Sequence, residues 1–417
     1  MAEIMPFRGI RYSTGDLAKV VAPPYDVISG EERDEYYSAH ENNAVRLILG
    51  KEFPGDDPKN NRYTRAGEYL EIWIKSGVLK QDREPSIYVY EQEYCYGGEK
   101  KILRGFIALV RIEEGAILPH EETLSKHIED RLKLMRATNA NLCPIYALYS
   151  DENKTLEPAL EVKQPAVDVK FDDTCDSKRV RHRLWKVSDA AAIKKVKKEM
   201  KDKKLFIADG HHRYKTALAF RNEMRRKKSR MHDYVMMFLT NMDSGGITIL
   251  PAHRVARISN ASKLENKIRR YFDSKVLKFG RKNKNTKIKE MLEELERQDS
   301  KHIFGMYSGG SEFRLLTLKD EKILDRIIKG KSREWKRLDV AILHALLLSR
   351  EKKIRYVINE KKAIQVIDEG RYDIAFFLNP TKVEQVKKIA LANERMPGKA
   401  TYFYPKLLTG LVLNKIN

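Results

Sequence analysis

Leu205-Phe206-Ile207-Ala208-Asp209-Gly210-His211-His212-Arg213-Tyr214-Lys215-Thr216-Ala217 begins as an apolar run and ends as a helical pattern, with Asp-Gly at the change. The spacing predicts a short buried strand that passes directly into a helix. The first turn of a helix has N–H groups without carbonyl partners, and they point at whatever lies above the turn. The helix dipole, two imidazoles and a guanidinium converge there, and every contribution except that of Asp209 favours an anion. This makes the corner a candidate seat for phosphate. Helix positions four apart share a face and adjacent ones do not, so His211 and His212 cannot point the same way. Tyr214, Ala217 and Leu218 form an apolar stripe for packing on a sheet, with His212 and Thr216 on a more polar side. Gly210 permits close backbone approach or a positive φ angle. Asp209 is placed to accept a substrate proton, to hold a metal ion, or to cap the helix. A plainer reading, a capping aspartate followed by two surface histidines, fits the spacing equally well.

The chain around this corner has 417 residues, more than one core usually accommodates, so two domains or one domain with large additions is expected. With 42% hydrophobic and 34% charged residues it is globular rather than disordered. A net charge of +22 calls for an anionic partner: nucleic acid, a membrane surface or a phosphorylated small molecule. The Lys/Glu/Arg-rich make-up also suits a surface of ion-pair networks unrelated to any ligand. Cys95, Cys143 and Cys175 are far apart and form no CxxC pair, which argues against disulfides and a cysteine zinc site. The N-terminus lacks the pattern of a secretory signal, and no run of about 18 apolar residues occurs. The expectation is a soluble cytoplasmic protein that does not enter membranes.

Reading outward, residues 17–30 predict a strand broken by Pro23-Pro24, then a helix start at Ser29 with Glu32 completing a capping box. The stiff Pro-Pro segment presents Tyr25 and Asp26, to a site or simply as a capped turn. Val45–Leu49 reads as a strand and 63–75 as a helix stopped by Gly77. Ser86–Tyr96 and Lys101–Ile112, separated by Gly97-Gly98, predict a hairpin.

A second informative stretch runs from Leu118 to Leu132, with Pro119, Glu121 and Glu122 suiting the first turn of a helix. Leu124, Ile128, Leu132 and Met135 make an apolar stripe, beside a polar one of Thr123, Lys126, His127, Asp130 and Arg131 that also reads as a solvated face. His120-Glu121 is not a zincin motif, because position 124 is Leu. Strands are expected at 145–149, 167–171, 182–187, 234–241 and 247–250, and a lysine-rich helix at 189–203. The basic cluster of Arg221, Arg225, Arg226, Lys227, Lys228 and Arg230 lacks interleaved aromatics. It reads as the solvated end of a helix rather than a nucleic-acid footprint, so nucleic acid is the less expected partner. The boundaries adopted are 1–258 for a phosphate-binding domain and 259–417 for a smaller α+β unit. That unit holds a helix near 285–298, a hairpin at Gly309-Gly310, an apolar helix at 338–348, a strand at 374–378 and a helix at 381–393.

Four separated motifs occur in order: Pro23-Pro24-Tyr25-Asp26-Val27; His120-Glu121 with Lys126 and Asp130-Arg131-Leu132; Phe206-Ile207-Ala208-Asp209-Gly210-His211-His212-Arg213-Tyr214; and Met396-Pro397 through Lys399, Thr401-Tyr402-Phe403 to Pro405-Lys406. On these the sequence resembles the DUF1015 family along essentially its whole length. Asp209 to Arg213, with small Ala217 four positions beyond the arginine, also resembles the phosphate-binding box of the ParB/sulfiredoxin superfamily, in which free-serine kinases carry a similar motif. The resemblance implies a mixed α/β fold: a ParB/sulfiredoxin-like catalytic core with insertions, plus the smaller C-terminal α+β unit. It implies a phosphotransferase acting on L-serine to give O-phosphoserine, with Mg²⁺ and with ATP, ADP or pyrophosphate as donor.

No Walker GxxxxGK[ST] and no kinase Gly-rich loop is present, so phosphate would be held by Gly210, His211, His212 and Arg213. On this reading Arg213, Lys126 and Arg131 meet the donor's charge. Asp209 or Glu121 is the base or the Mg²⁺ contact, with Asp26 the rival base. The superfamily kinases use a glutamate, but theirs does not align onto this chain. Tyr25, His120, Thr123, Asn141, His253 and Arg254 are the substrate-side candidates. Two other classes stay open: a nucleotide-binding ParB-like regulator, expected to bind DNA with steep salt dependence, and a metal-dependent phosphohydrolase built on Asp209, His211 and His212, expected to carry zinc or manganese. Homo-oligomerisation is left open.

Overall fold

The computed structural model describes residues 2–13, 15–172, 179–225, 230–280, 282–298 and 301–416. Cys175 and, in the basic cluster, Arg226, Lys227 and Lys228 lie outside them. The fold is mixed α/β, in two compact units. The first comprises Met1–Pro119, Thr123–Ile247 and Pro405–Asn417; the second comprises His120–Glu122 and Thr248–Tyr404. The sequence boundary at 258 falls inside the second of these.

The first unit is built on a nine-stranded sheet. Its strands are β1 (Ile4–Met5), β2 (Ile87–Tyr96), β3 (Glu99–Arg111), β4 (Ile117–Leu118), β5 (Ile145–Tyr149), β6 (Val167–Asp172), β7 (Arg179–Val187), β8 (Leu205–Asp209) and β9 (Tyr234–Asn241). The order is β4-β8-β5-β9-β3-β2-β7-β6, with β1 pairing with β3. β2 and β3 form the expected hairpin, turning at Gly97 and Gly98, both at positive φ. β8 runs parallel to β4 and antiparallel to β5, while β5 and β9 are parallel. β5, most of β8 and most of β9 are buried continuous apolar runs, as strands covered on both faces must be.

Around the sheet stand α1 (Gly30–Ala39), α2 (Arg62–Lys75), α3 (Ser125–Thr138), α4 (Ala190–Met200) and α5 (His211–Met224). Ser29 and Glu32 form the capping box read from the sequence, and Asp189 caps α4 by accepting from the Ala192 N–H. Tyr214 and Ala217 of α5 join the core with Ile145, Ala147, Ile207 and Met237, and Leu218 packs against it. Each such large apolar side chain contributes ~1.5–3 kcal/mol by leaving water.

Three local expectations are corrected. Leu17–Val20 and Val45–Ile48 are single helical turns, not strands. At the second, the buried Asn43 side chain accepts from the Val45 N–H and starts the turn, so local capping and burial override β propensity. The helix expected from Pro119 begins only at Ser125, because Glu121 bridges in extended form to Met396. Its buried face is also rotated: Arg131, Leu134 and Thr138 are inside, while Leu124 is exposed.

The second unit carries β10 (Thr248–Leu250), β11 (His253–Ala256), β12 (Phe272–Lys278), β13 (Ile303–Tyr307), β14 (Glu312–Leu318), β15 (Ile354–Val357), β16 (Ile374–Phe377) and β17 (Tyr402–Tyr404). Six of them form a sheet in the order β12-β14-β13-β16-β11-β15, and β10 pairs with β17. Its helices include α6 (Ala261–Tyr271), α7 (Lys284–Arg297), α8 (Glu360–Asp368) and α9 (Val383–Leu391). Among the described residues no helix is long and apolar enough to cross a membrane.

Candidate functional site

The strand-to-helix corner has the expected backbone. Gly210 stands at φ 91°, ψ 30° as the N-cap residue of α5, a left-handed conformation that suits glycine. Arg213, one turn into the helix, folds back over it, and a Cβ on Gly210 would lie 2.9 Å from the guanidinium. The guanidinium donates from Nη2 to Asp209 Oδ2 at 2.7 Å and from Nη1 to the Pro144 carbonyl. Lys406 Nζ meets the other oxygen, Asp209 Oδ1, at 2.5 Å. One carboxylate therefore holds two cations, and one net positive charge remains beside the start of a helix. Burial pulls the Arg213 pKa down, but the charge of Asp209, with a lesser contribution from Asp26, carries it above its ordinary value.

The two imidazoles diverge. His211 is buried, whereas His212 turns toward α3, where its Nε2 accepts from the Leu124 N–H at 3.1 Å and its ring meets His127 edge-on at 5.0 Å. A ring nitrogen that accepts carries no proton, so this contact requires the Nδ1–H tautomer. His212 thus caps the start of α3, which has no capping side chain of its own. Thr216 Oγ1, one turn further, donates to the Ile128 carbonyl.

Arg131 is buried and fully engaged. It donates to Asp130 at 2.7 Å and to the Ile48 carbonyl at 2.7 Å, and its guanidinium lies 4.0 Å above the Tyr25 ring. Asp130 also accepts from Arg62 and Tyr63; burial raises its pKa, and Arg131, Tyr63 and Arg62 outweigh that and hold it below the usual range. Burial, then Asp26, pushes the Tyr25 phenol well up. Tyr25, Arg131, Asn141, Cys143 and Arg213 help line a cavity of about 50 Å³. Asn141 has a structural load as well, since its Oδ1 accepts from the Met236 N–H and from Asn414, both at 3.1 Å. Asp26 and Lys126 are exposed, and Thr123 is half-buried.

The remaining candidates belong to the second unit. His120 is buried with Nε2 3.2 Å from Thr401 Oγ1, and Glu121 Oε1 accepts from the Lys399 N–H at 3.1 Å. His253 is a core histidine: its ring meets Phe377 edge-on, and burial, then Arg254, takes its pKa down to about 3. Arg254 is fully buried and donates to the carbonyls of Ala252 and Lys399.

Asp209 does not fit as a metal ligand here, because both its oxygens accept from cations. Among the described residues no group of three or more His, Cys, Asp and Glu is arranged to hold a metal ion, the Asp209–His211–His212 set included.

The family described as a protein of unknown function (DUF1015) matches residues 4–341. The chain belongs to the DUF1015 family. No curated protein matches it. Among solved structures it is similar to a free serine kinase in complex with AMP, at 11% identity and TM-score 0.35, over 71% of this chain and 86% of that one. It is also similar to SbnI with a C-terminal truncation from Staphylococcus aureus, at 12% identity and TM-score 0.37, over 73% and 85% of the two chains. A conserved hypothetical protein from Pyrococcus furiosus matches at 11% identity and TM-score 0.34, over 71% and 90%.

In this DUF1015 chain the structure brings Lys406, Asp130, Cys143 and Pro144 to the site, none of which the sequence marked as a site residue. Lys406 lay within the closing motif, but 197 positions separate it from Asp209, and no periodicity reports such a contact.

Proposed function

We propose that this DUF1015 protein is a phosphotransferase that converts free L-serine to O-phosphoserine, with a nucleotide or pyrophosphate as donor. One observation carries the reading: Arg213 and Lys406 converge on Asp209 where β8 passes into α5, leaving net positive charge at a helix N-terminus. Phosphoryl transfer asks little covalent chemistry of the protein; it needs charge stabilisation, alignment and a proton acceptor. Arg213 and Lys406 meet the charge on the transferring group, with Asp209 fixing both. Gly210 keeps the first N–H groups approachable, and His212, by capping α3, fixes the segment that bears Lys126, a further donor contact. Tyr25, Arg131 and Arg213 line a small cavity beside this corner, where the serine side chain would be received. Asp26, an exposed carboxylate next to Tyr25, takes the hydroxyl proton; Glu121 is the rival. Mg²⁺ would accompany the donor's phosphates and neutralise part of their charge.

The test is incubation of the full chain with L-serine, Mg²⁺ and, in separate reactions, ATP, ADP or pyrophosphate, with phosphoserine read by mass spectrometry. One donor should give product, and Arg213→Met or Lys406→Met should lower the rate ~100-fold or more while the circular dichroism spectrum stays that of the parent. If no donor yields phosphoserine and the protein instead hydrolyses it, the assignment passes to a phosphohydrolase.

A further inference from the structure

Residues 394–401 of the second unit, Glu-Arg-Met-Pro-Gly-Lys-Ala-Thr, have no regular structure beyond one bridge at Met396, yet they are fastened along their length. Trp335 Nε1 donates to the Arg395 carbonyl at 2.7 Å, the Met396 N–H to the His120 carbonyl at 2.6 Å, and Thr381 Oγ1 to the Ala400 carbonyl at 2.8 Å. At their centre stands Lys399 with φ 57°, a left-handed conformation that a side chain with a Cβ rarely adopts. Gly398, next to it, would take that conformation without strain, but its φ is ordinary. The lysine is in the strained position and its side chain is exposed.

Both halves of the Lys399 backbone are held by ionisable groups. Its N–H donates to Glu121 Oε1 at 3.1 Å, and its carbonyl accepts from Arg254 Nη2 at 2.9 Å. Arg254 is the costlier of the two. It is fully buried, its Nε has no hydrogen-bond partner among the described residues, its Nη1 donates to the Ala252 carbonyl, and its guanidinium lies 5.1 Å from the centre of the Tyr356 ring. A cation taken out of water without a hydrogen-bonded carboxylate is expensive, and what this one secures is backbone, the carbonyls of buried Ala252 and of exposed Lys399. Strain of this kind persists only where the surroundings over-determine it, and it gathers where a side chain must be presented in one direction.

We propose that Lys399 is a ligand-contacting residue whose ammonium takes an oxygen of a phosphate group, and that Glu121 and Arg254 are positioning residues that fix its backbone. An ammonium with three donors is a point charge suited to a tetrahedral anion. The phosphate class rests on the phosphotransferase reading; the presentation of the lysine does not.

Calorimetric titration of the full chain with pyrophosphate and, separately, O-phosphoserine tests it. Lys399→Gly relaxes the backbone, so its melting temperature should equal or exceed the parent's, while affinity for at least one anion falls ~10-fold or more. Lys399→Met should lose affinity similarly. Glu121→Ala should lose affinity as Lys399→Met does, and Glu121→Gln, which retains an oxygen for the Lys399 N–H, should lose less; a merely structural role would leave anion affinity unchanged in both. Parent-like affinity in Lys399→Gly, or no binding of either anion by the parent, overturns the proposal. Parent protein that binds an anion in a Lys399-dependent manner but makes no phosphoserine keeps this inference and sinks the kinase reading. Phosphoserine production with unchanged KM in Lys399→Gly does the reverse.

Discussion

Asp209→Asn keeps the shape of the corner and removes its one negative charge. In the native protein the side chains of Arg213 and Lys406 are each 12% exposed and that of Asp209 18%, so the three groups are largely out of water and largely reliant on one another. Removing one partner of a buried ion pair costs ~3–5 kcal/mol, because the charge left behind is neither solvated nor compensated. The residual exposure argues for the lower end, about 3 kcal/mol, although two cations rather than one are stranded. The amide also turns a donor toward one of them. In a unit of more than 200 residues, ~1 kcal/mol moves the melting temperature by about 2–4 °C, so a fall of roughly 6–12 °C is expected. Two compact units make a single global transition an unsafe readout. Hydrogen exchange of peptides spanning 205–224 reports on the corner itself, and its protection should fall with the thermal shift. Asp209→Asn combined with Arg213→Met removes one stranded cation and should recover at least ~1 kcal/mol relative to the sum of the single changes. A single variant within ~0.5 kcal/mol of the parent, with unchanged protection at 205–224, would refute the claim that this carboxylate holds the site together.

Gly210→Ala should destabilise by ~1–2 kcal/mol, since alanine at φ 91° is strained and its Cβ would lie 2.9 Å from a guanidinium that Asp209 and the Pro144 carbonyl hold in place; denaturant midpoints check it, and a parent-like midpoint contradicts it. Acid should weaken both units through buried imidazoles. Burial lowers His182 in the first unit and His253 in the second to about 3. Both stay neutral in the fold while the unfolded chain takes up protons below ~6.5, so stability is lost as pH falls from about 6.5 toward 3, by roughly 2 kcal/mol per imidazole at pH 5. Equal denaturation midpoints at pH 7 and pH 5 would show that these imidazoles are not held neutral.

What could be read from the sequence was what adjacent residues decide. The β2–β3 hairpin is fixed by alternation and a Gly-Gly turn, and the β8–α5 corner by an apolar run that ends in a residue able to take positive φ. The divergence of His211 and His212 follows from helix geometry alone. The phase of α3 did not follow. Its apolar residues predicted one buried face, but Arg131 is inside, because Asp130, the Ile48 carbonyl and the Tyr25 ring together replace its water. Two of those three partners are remote in sequence, so the arginine's burial was invisible to a hydrophobic count. Lys406 escaped for the same reason. Its neighbours Tyr404-Pro405 and Leu407-Leu408 mark a buried segment, but nothing local names Asp209 as the lysine's partner.

The charge of +22 invites a polyanion, and the described part of the basic cluster shows why the invitation is weaker than the number. Arg221, Arg225 and Arg230 line an open cleft of about 850 Å³ with Arg111, but Glu113, Glu114 and Asp233 line it too. Arg111 pairs with Glu3, Arg230 lies 3.7 Å from Asp233, and Arg221 donates to the Ile112 carbonyl. A phosphate backbone laid along that cleft would meet carboxylates as often as free guanidinium groups, whereas backbone binding draws its strength from many uncompensated cations acting together. At physiological salt, exposed charges more than ~8 Å apart are largely screened from one another. Most of the net charge therefore contributes little at any one point, and a small anion is recognised by the few cations that touch it. The corner at Asp209 meets that condition with two partly shielded cations, one carboxylate and a helix end, and it does so without reference to the rest of the surface.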